Sequence, residues 1–392
     1  FKTYNDMRGS LKLFTWLGIP VHLHWTFGLI FLLPLWESYS KNLELTDTLW
    51  LFGLYISLFG CVLLHEYGHA LTARRYGVNT QDIILTPIGG IARLERMPEK
   101  PVQEFFVAIA GPMVNVVIAF LLLGLGKLIF AGDNWDMFTW FLGQYLRMDE
   151  GGTPPIDLEE LGALHSGLLL FLPPLVAVNI GLVVFNLIPA FPMDGGRIFR
   201  ALLAMQLGRV RATLWATRLG QTIAVMFIFI GISGMWNMGI TLSFIGFFVF
   251  ITARTENAMV RLDDLLRRFK ASDLMRPQFT RLNSNDWMQT PIALLQQGLE
   301  RHFLVFTMDG QLSGVLEESD IIAALKKGDI SAEISQYAHP TVKVVPSGQD
   351  LQYVYHLLMQ RGSAIVGVAD DGELIGVIDQ TGLQNFLRLN TN

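Results

Sequence analysis

Charge is what this sequence has least of. Asp, Glu, Lys and Arg make up 16% of its 392 residues, against 51% hydrophobic residues, where a soluble domain normally carries about a quarter charged residues. The mean hydropathy is +0.40. Together these values exclude a wholly soluble protein and point to a membrane protein with a soluble part. No basic block occurs and the net charge is −5, which argues against nucleic acid as a partner. Cysteine is nearly absent: Cys61 stands alone, so no intrachain disulfide is possible and the redox compartment stays open. A cleavable signal peptide is not expected either. Phe1 to Leu11 is polar, and no small-residue cleavage site follows the first apolar run. Met7 is the expected natural start.

What the chain does have is long apolar runs. Six segments approach or exceed the length needed to cross a hydrocarbon core of about 30 Å: Val21–Trp36, Thr48–Ala73, Glu104–Phe130, Leu164–Ile188, Ala212–Gly234 and Met238–Ala253. The first and last are short, and Pro173-Pro174 is expected to kink or break the fourth. Trp25, Trp36, Trp50, Trp215 and Trp236 sit at segment ends, where interfacial aromatics belong. Basic residues gather in alternate loops. Lys2, Arg8 and Lys12 precede the first segment, and Arg74, Arg75, Arg93, Arg96 and Lys100 follow the second. Arg197, Arg200, Arg209 and Arg211 follow the fourth, and Arg254, Arg261, Arg267, Arg268 and Lys270 follow the sixth. The other loops are poor in basic residues, with Lys41 alone beside Glu37, Glu44 and Asp47 in one and Arg147 beside Asp149, Glu150, Asp157, Glu159 and Glu160 in another. The positive-inside rule then puts both termini in the cytosol.

Inside the second segment lies His65-Glu66-Tyr67-Gly68-His69. Residues four apart share a helix face, so His65 and His69 can offer two imidazoles to one metal ion. Glu66, on the adjacent face, could take a proton from water at that metal. An ionised side chain at the centre of a spanning helix costs about 2.5–3.5 kcal/mol, so three ionisable groups there require a reason. The alternative is a set of interior polar residues that only tie helices together. His65 precedes Arg74 by nine residues, which puts it roughly 14 Å below the cytosolic surface at 1.5 Å per residue. The fourth segment also runs inward and ends just before Phe191-Pro192-Met193-Asp194-Gly195-Gly196-Arg197. Asp194 is thus the natural third ligand of a catalytic zinc, although Asp before Gly is also a common turn. Two histidines and a carboxylate suit zinc and also bind iron or cobalt.

Three separated motifs carry a resemblance. His65-Glu66-x-x-His69, Ala110-Gly111-Pro112-Met113-Val114-Asn115, and Asn186-Leu187-Ile188-Pro189 leading into Met193-Asp194-Gly195 together resemble the site-2 protease family of intramembrane zinc metalloproteases. The likeness covers Gly18 to Arg200. Gly18-Ile19-Pro20-Val21 and His24-Trp25-Thr26-Phe27 resemble the start of the branch with a C-terminal pair of CBS modules. The resemblance implies zinc on His65, His69 and Asp194, Glu66 as general base, and Asn115 and Asn186 near the scissile bond. Asn side chains suit an unwound strand or a developing oxyanion, and a substrate helix must unwind before its peptide bonds can be attacked. Asn115 read by itself is also a candidate interhelical hydrogen bond, and Gly111-Pro112 a helix kink.

Thr80 to Leu94 alternates apolar and polar residues around Pro87-Ile88-Gly89-Gly90, which predicts a hairpin. The resemblance implies that it re-enters the membrane edge and pairs with an extended substrate strand; a cytosolic hairpin closing the site is the other reading. His22 and His24 read as interfacial histidines. Cys61, one turn before His65, reads as a small buried hydrophobe. His165 falls in the outer half of its segment, on the wrong side for the metal.

Past Lys270 the composition turns soluble and repeats. Asp309-Gly310-Gln311-Leu312-Ser313-Gly314-Val315-Leu316 recurs as Asp371-Gly372-Glu373-Leu374-Ile375-Gly376-Val377-Ile378, each copy followed by a helix. This resembles a tandem CBS pair, a module that often binds adenine nucleotides and forms homodimers, using Gly-x-x-Ser/Thr-x-x-Asp after the second strand. The first copy keeps Gly314 and Asp320 but has Glu317 at the hydroxyl position; the second has Asp379 there and Gly382 in place of the acid. A carboxylate beside phosphates is unfavourable, which counts against the nucleotide and leaves the fold intact.

The expected architecture is therefore a polytopic α-helical membrane domain of six transmembrane segments. It carries a β-hairpin insertion between segments two and three, and an α/β tandem CBS domain follows. The expected divisions are a cytosolic segment over 1–20, the metalloprotease domain over 21–253, a linker helix over 254–270 and CBS modules over 271–329 and 330–392. The expected activity is hydrolysis of transmembrane protein substrates within the lipid bilayer of a prokaryotic plasma membrane, with the CBS pair serving regulation or dimerisation. A CBS-gated ion transporter would need polar residues along several segments, and the third, fifth and sixth offer few. An inactive zinc-binding scaffold is the other alternative, and the intact Glu66 speaks against it.

Overall fold

The computed structural model describes residues 9–87, 89–95, 97–98, 100–132, 134–147, 162–233, 239–298, 300–360 and 363–390. Lys2, Met7, Arg8, Arg96, Trp236 and the acidic cluster between 149 and 160, used above, lie outside these residues. The chain divides into two compact units, Phe1–Asn257 and Ala258–Asn392.

In the first unit, strands β1 (Ser10–Trp16) and β2 (Ile19–His24) lead into a 3₁₀ turn, Trp25–Phe31, and helix α1 (Leu32–Ser40). Helix α2 (Leu45–Arg75) follows, then β3 (Thr80–Thr86), β4 (Gly89–Leu94), α3 (Pro101–Ile129), α4 (Asn134–Arg147) and α5 (Gly162–Asn186). Helices α6 (Asp194–Leu207) and α7 (Arg209–Ser233), with α8 (Gly239–Arg268) as far as Asn257, complete it. Among the described residues, five helices are long and apolar enough to cross a membrane: α2, α3, α5, α7 and α8. They are polarised inside out. Phe120, Leu128, Phe229, Ile232 and Phe244 face outward, while Ala108, Ala119, Ala216 and Ala224 are buried. Small residues at the interfaces let backbones approach, which is how helices associate where lipid is as apolar as leucine.

The first apolar run departs from a single spanning helix. Its opening residues pair as β2, and the rest divides between the 3₁₀ turn and α1. The alternation of Ile19-Pro20-Val21-His22-Leu23-His24 suits a strand, and a run this short satisfies either period. The run lies antiparallel along α2, as successive contacts show. Phe27 meets Phe59 edge-on at 4.6 Å, Phe31 stacks on Phe52 at 5.9 Å, and Ser38 Oγ lies 2.6 Å from Thr48 Oγ1. Pro173-Pro174 does not break α5. Proline removes amide bonds to the carbonyls four residues back, but Leu169, Leu172, Leu175 and Val176 around the pair are buried, and that packing holds the helix together. Helix α4, which the sequence reading had not anticipated, packs on α5 through Met137 and Phe138.

The sheet has the order β1-β2-β3-β4, with β2 and β3 parallel and the other pairs antiparallel. Its inner face, Ile19, Val21, Ile83 and Leu85, packs on Phe59, Tyr67 and Ala70 of α2. The sheet therefore sits beside the histidine-bearing turn. Helix α6 is tied down by Arg200, whose Nε donates to Glu104 Oε1 of α3 at 2.8 Å and whose second nitrogen donates to Glu256 Oε1 of α8 at 2.5 Å. Arg200 and Glu104 are almost wholly buried.

The second unit contains two copies of one arrangement. The first comprises β5 (Arg281–Asn283), β6 (Phe303–Phe306) and β7 (Leu312–Leu316), the second β8 (Val344–Pro346), β9 (Ile365–Asp370) and β10 (Glu373–Asp379). In each, the first two strands are parallel and the last two antiparallel. Helices α9 (Ala271–Leu274), α10 (Gln289–Gln296), α11 (Glu318–Lys327), α12 (Leu351–Tyr355) and α13 (Gln380–Asn390) surround them. The charged stretch over 255–268 is not a separate helix. It continues α8, whose Leu262 and Leu266 join the core of the second copy with Val354, Val366 and Leu383.

Replacing Arg200 by Ala would leave the Glu104 carboxylate buried without its partner, a loss of roughly 3–5 kcal/mol. Glu256→Gln, at the 31% exposed end of the network, should cost under about 1 kcal/mol. Denaturant midpoints of the two variants in detergent measure this ordering.

Candidate metal centre

One turn of α2 meets four neighbours. His65 and His69 point toward Asp194 at the start of α6. The three facing atoms lie close together: His65 Nε2 to Asp194 Oδ2 is 3.2 Å, His69 Nε2 to the same oxygen 3.0 Å, and the two Nε2 atoms 3.1 Å apart. All three side chains are buried. Donors of a tetrahedral zinc site with bonds near 2.0–2.1 Å stand about 3.3 Å apart, so this donor set fits one ion. The outer ring nitrogens are also engaged. His65 Nδ1 lies 2.5 Å from Asn115 Oδ1, and His69 Nδ1 lies 2.7 Å from the Val107 carbonyl. When each Nδ1–H donates to its oxygen, both Nε2 lone pairs are directed inward, the tautomer that a metal ligand needs.

Glycines make the approach possible. A Cβ on Gly111 of α3 would lie 2.2 Å from His69 Nε2 and 2.7 Å from His65 Nε2, and one on Gly68 would lie 2.8 Å from the Ala110 carbonyl oxygen. At Gly195 it would come within 2.3 Å of the Leu187 and Ile188 carbonyl oxygens. The Asp-Gly-Gly sequence is therefore what lets the chain fold back tightly enough to bring Asp194 to the histidines.

Glu66 and Tyr67, between the histidines, face the sheet. Glu66 Oε2 accepts from the Ala92 amide of β4 at 3.0 Å. The Tyr67 hydroxyl donates to the Trp16 carbonyl, at 3.1 Å, beside the β1–β2 turn. Asn115, with no exposed surface, lies behind His65; its Nδ2 donates to Asn179 Oδ1 at 2.8 Å. Asn179 in turn donates to the Leu175 carbonyl at 2.8 Å and toward Cys61 Sγ at 3.4 Å. Asn115 thus has both amide ends occupied on the side of His65 away from Asp194. Asn186 is not drawn into the cluster: its Nδ2 bonds the Leu182 carbonyl of its own helix at 2.9 Å. Asn179 escaped the sequence reading, although a lone Asn in an apolar run was a usable signal. His24 accepts from the Thr26 amide at 3.4 Å, and His165 lies edge-on to Phe130 at 6.0 Å; neither joins the cluster.

In the second unit, a cleft of about 240 Å³ is lined by Arg276, Glu300, Arg301, His302, Asp379 and Thr381, among others. Arg276 is held by Glu300 at 2.9 Å and lies 3.8 Å from Asp379. Asp379 Oδ1 also accepts from the Gly382 amide at 2.6 Å, at the start of α13. Burial holds the His302 imidazole below its ordinary pKa.

Comparison with known proteins gives the following. Residues 53–231 match Peptidase family M50. Zinc metalloprotease MJ0392 of Methanocaldococcus jannaschii is 29% identical over 377 residues, covering 96% of this chain and 95% of that protein. The solved site-2 protease from the same organism is 33% identical, covering 63% of this chain and 95% of that one, with a TM-score of 0.41. Solved CBS domains of a transcriptional regulator from Streptococcus pneumoniae cover 30% of this chain and 98% of theirs, at 18% identity and a TM-score of 0.26.

The hydrogen-bond chain behind His65 predicts graded metal affinities. Asp194→Ala should abolish stoichiometric zinc retention after dialysis against a chelator. Asn115→Ala should weaken zinc by roughly 10–100-fold, as loss of a ligand's supporting hydrogen bond does. Elemental analysis with competitive chelator titration checks both.

Proposed function

With residues 53–231 forming a domain of Peptidase family M50, the site-2 protease kind, we infer that the chain is an intramembrane zinc metalloprotease that hydrolyses peptide bonds of membrane-protein substrates. One observation carries the reading: His65, His69 and Asp194 converge on a single point, with Glu66 on the adjacent helix position. His65, His69 and Asp194 would hold the zinc, leaving the fourth position of a catalytic site open. When bound, zinc supplies Lewis acidity toward water and toward the substrate carbonyl. Glu66 takes the proton of the attacking water on its carboxylate and returns it to the leaving amide nitrogen as the C–N bond breaks. Asn115 orients His65 rather than touching substrate. Asn186, part-buried at the end of α5, is the residue we assign to the unwound strand.

The run from Trp25 to Ser40 is the sixth crossing in this reading. Its 3₁₀ and α portions together reach about 28 Å at 2.0 and 1.5 Å per residue, and its contacts along α2 support a full traverse. Six crossings put both termini on one side, in agreement with the basic loops. We assign 21–253 to the protease and 271–392 to a CBS pair in the cytosol, with regulation or dimerisation as its role. Glu300 and Asp379 already neutralise Arg276, so a nucleotide phosphate gains little in that cleft.

Purified wild-type protein in liposomes should cleave a co-reconstituted transmembrane substrate, and Glu66→Gln should reduce the rate by at least about 100-fold, the scale of general-base catalysis, with zinc content unchanged. Equal cleavage by Glu66→Gln would overturn the reading.

A further inference from the structure

The last strand of the sheet carries an amide whose use the protease reading leaves open. Strand β4 is an edge: β3 lies on one side and no strand on the other among the described residues. Outward-facing amides of such an edge ordinarily await water or an added strand. The Ala92 amide is instead directed at Glu66 Oε2, at 3.0 Å. Two residues earlier, Gly90 lies on the same carboxylic side chain. A Cβ there would come within 2.6 Å of Glu66 Cγ and 3.3 Å of Val62 Cγ1. The absence of a side chain at 90 and the presence of an amide at 92 therefore act on one residue.

The sheet that bears this amide is fixed to α2 independently. Tyr67, next to Glu66, donates to the Trp16 carbonyl at 3.1 Å, and Ile83 and Leu85 of β3 pack on Tyr67 and Ala70. Strand β4 pairs with β3 through Ile83↔Ala92 and Leu85↔Gly90. The amide is thus carried on a platform whose position is set by the same helical turn that presents Glu66. A glutamate has three side-chain torsions and substantial rotamer freedom. A charge-assisted bond from a fixed amide removes much of that freedom.

We propose that the Ala92 amide and the bare Gly90 backbone are positioning elements for Glu66, holding its carboxylate in one orientation beside the metal centre. The inference rests on the protease reading and adds a cost to it. An amide engaged by Glu66 is not available to a substrate strand, so substrate pairing on β4 must use other groups of the edge.

The test uses the full-length protein in liposomes with a transmembrane substrate. Ala92→Pro removes the amide and no ladder bond, and proline is tolerated on edge strands. The expected result is a kcat reduced 10- to 100-fold, with KM and zinc content unchanged. Ala92→Ser restores the amide and should recover the rate. Gly90→Ala, which crowds Glu66 without touching the amide, should lower kcat in the same way and covers the case in which proline distorts the strand. In a Glu66→Asp background, whose shorter side chain no longer reaches the amide, Ala92→Pro should add no further loss. A raised KM with unchanged kcat would overturn the proposal and assign the amide to substrate. Full kcat in Ala92→Pro would overturn it too. Either result leaves the protease reading standing if Glu66→Gln is inactive, whereas active Glu66→Gln would remove that reading itself.

Discussion

Everything in the first unit answers to one constraint: two imidazoles and a carboxylate must meet at a point where there is little water to solvate them. Polar groups in such surroundings are tolerated only when they are paired or bind a metal. Each of the three accordingly has support behind it. His65 leans on Asn115 and through it on Asn179, and His69 on the Val107 carbonyl. Asp194 emerges from a turn that only the small Gly195 and Gly196 can make. The cluster is as much a property of α3, α5 and α6 as of the helix that carries the histidines.

The same constraint explains why the interfaces are built from small residues while the large apolar ones face outward. Helices in lipid gain little by hiding leucine, but they gain by close backbone approach and by satisfying interior polar groups. Gly68 and Gly111 let α3 press directly on the histidine face. The buried Arg200–Glu104 pair then joins α3 to α6, and Glu256 extends it to α8. The helices holding the donor atoms are thus bound by both packing and charge.

The second unit follows a different logic. Its two copies each bury an ordinary apolar core behind short strands, with Leu282, Phe303 and Leu316 in one and Val345, Val366 and Ile378 in the other. The departures from the phosphate-binding pattern have local uses. Asp379 accepts the Gly382 amide at a helix start, and Glu317 forms a reciprocal capping box with Asp320 at the start of α11. The carboxylates at the two hydroxyl positions, Glu317 and Asp379, thus hold the starts of the helices that follow.

What the sequence by itself determined is what depends on near neighbours along the chain. The four-residue spacing of His65 and His69 sets their common face whatever surrounds the helix. The antiparallel pairing of Thr80–Thr86 with Gly89–Leu94 follows from the alternation of apolar and polar residues along this stretch. The 62-residue repeat is visible as five identical positions in eight, Asp309-Gly310, Leu312 and Gly314-Val315 recurring as Asp371-Gly372, Leu374 and Gly376-Val377. Asp194 could be paired with the histidines only by combining a motif with topology. What tertiary structure alone decided is what arises between distant segments. The run after Pro20 became strand, 3₁₀ turn and short helix because β3 was there to pair with it and α2 to lie along. Asn115 is fixed behind His65 because Asn179, in another helix, completes its hydrogen bonding. The Ala92 amide met Glu66 because Tyr67 anchors the sheet to that turn. Backbone hydrogen bonds and interior polar groups must be satisfied somewhere, but the sequence states only the demand; which partner meets it depends on segments brought together by folding.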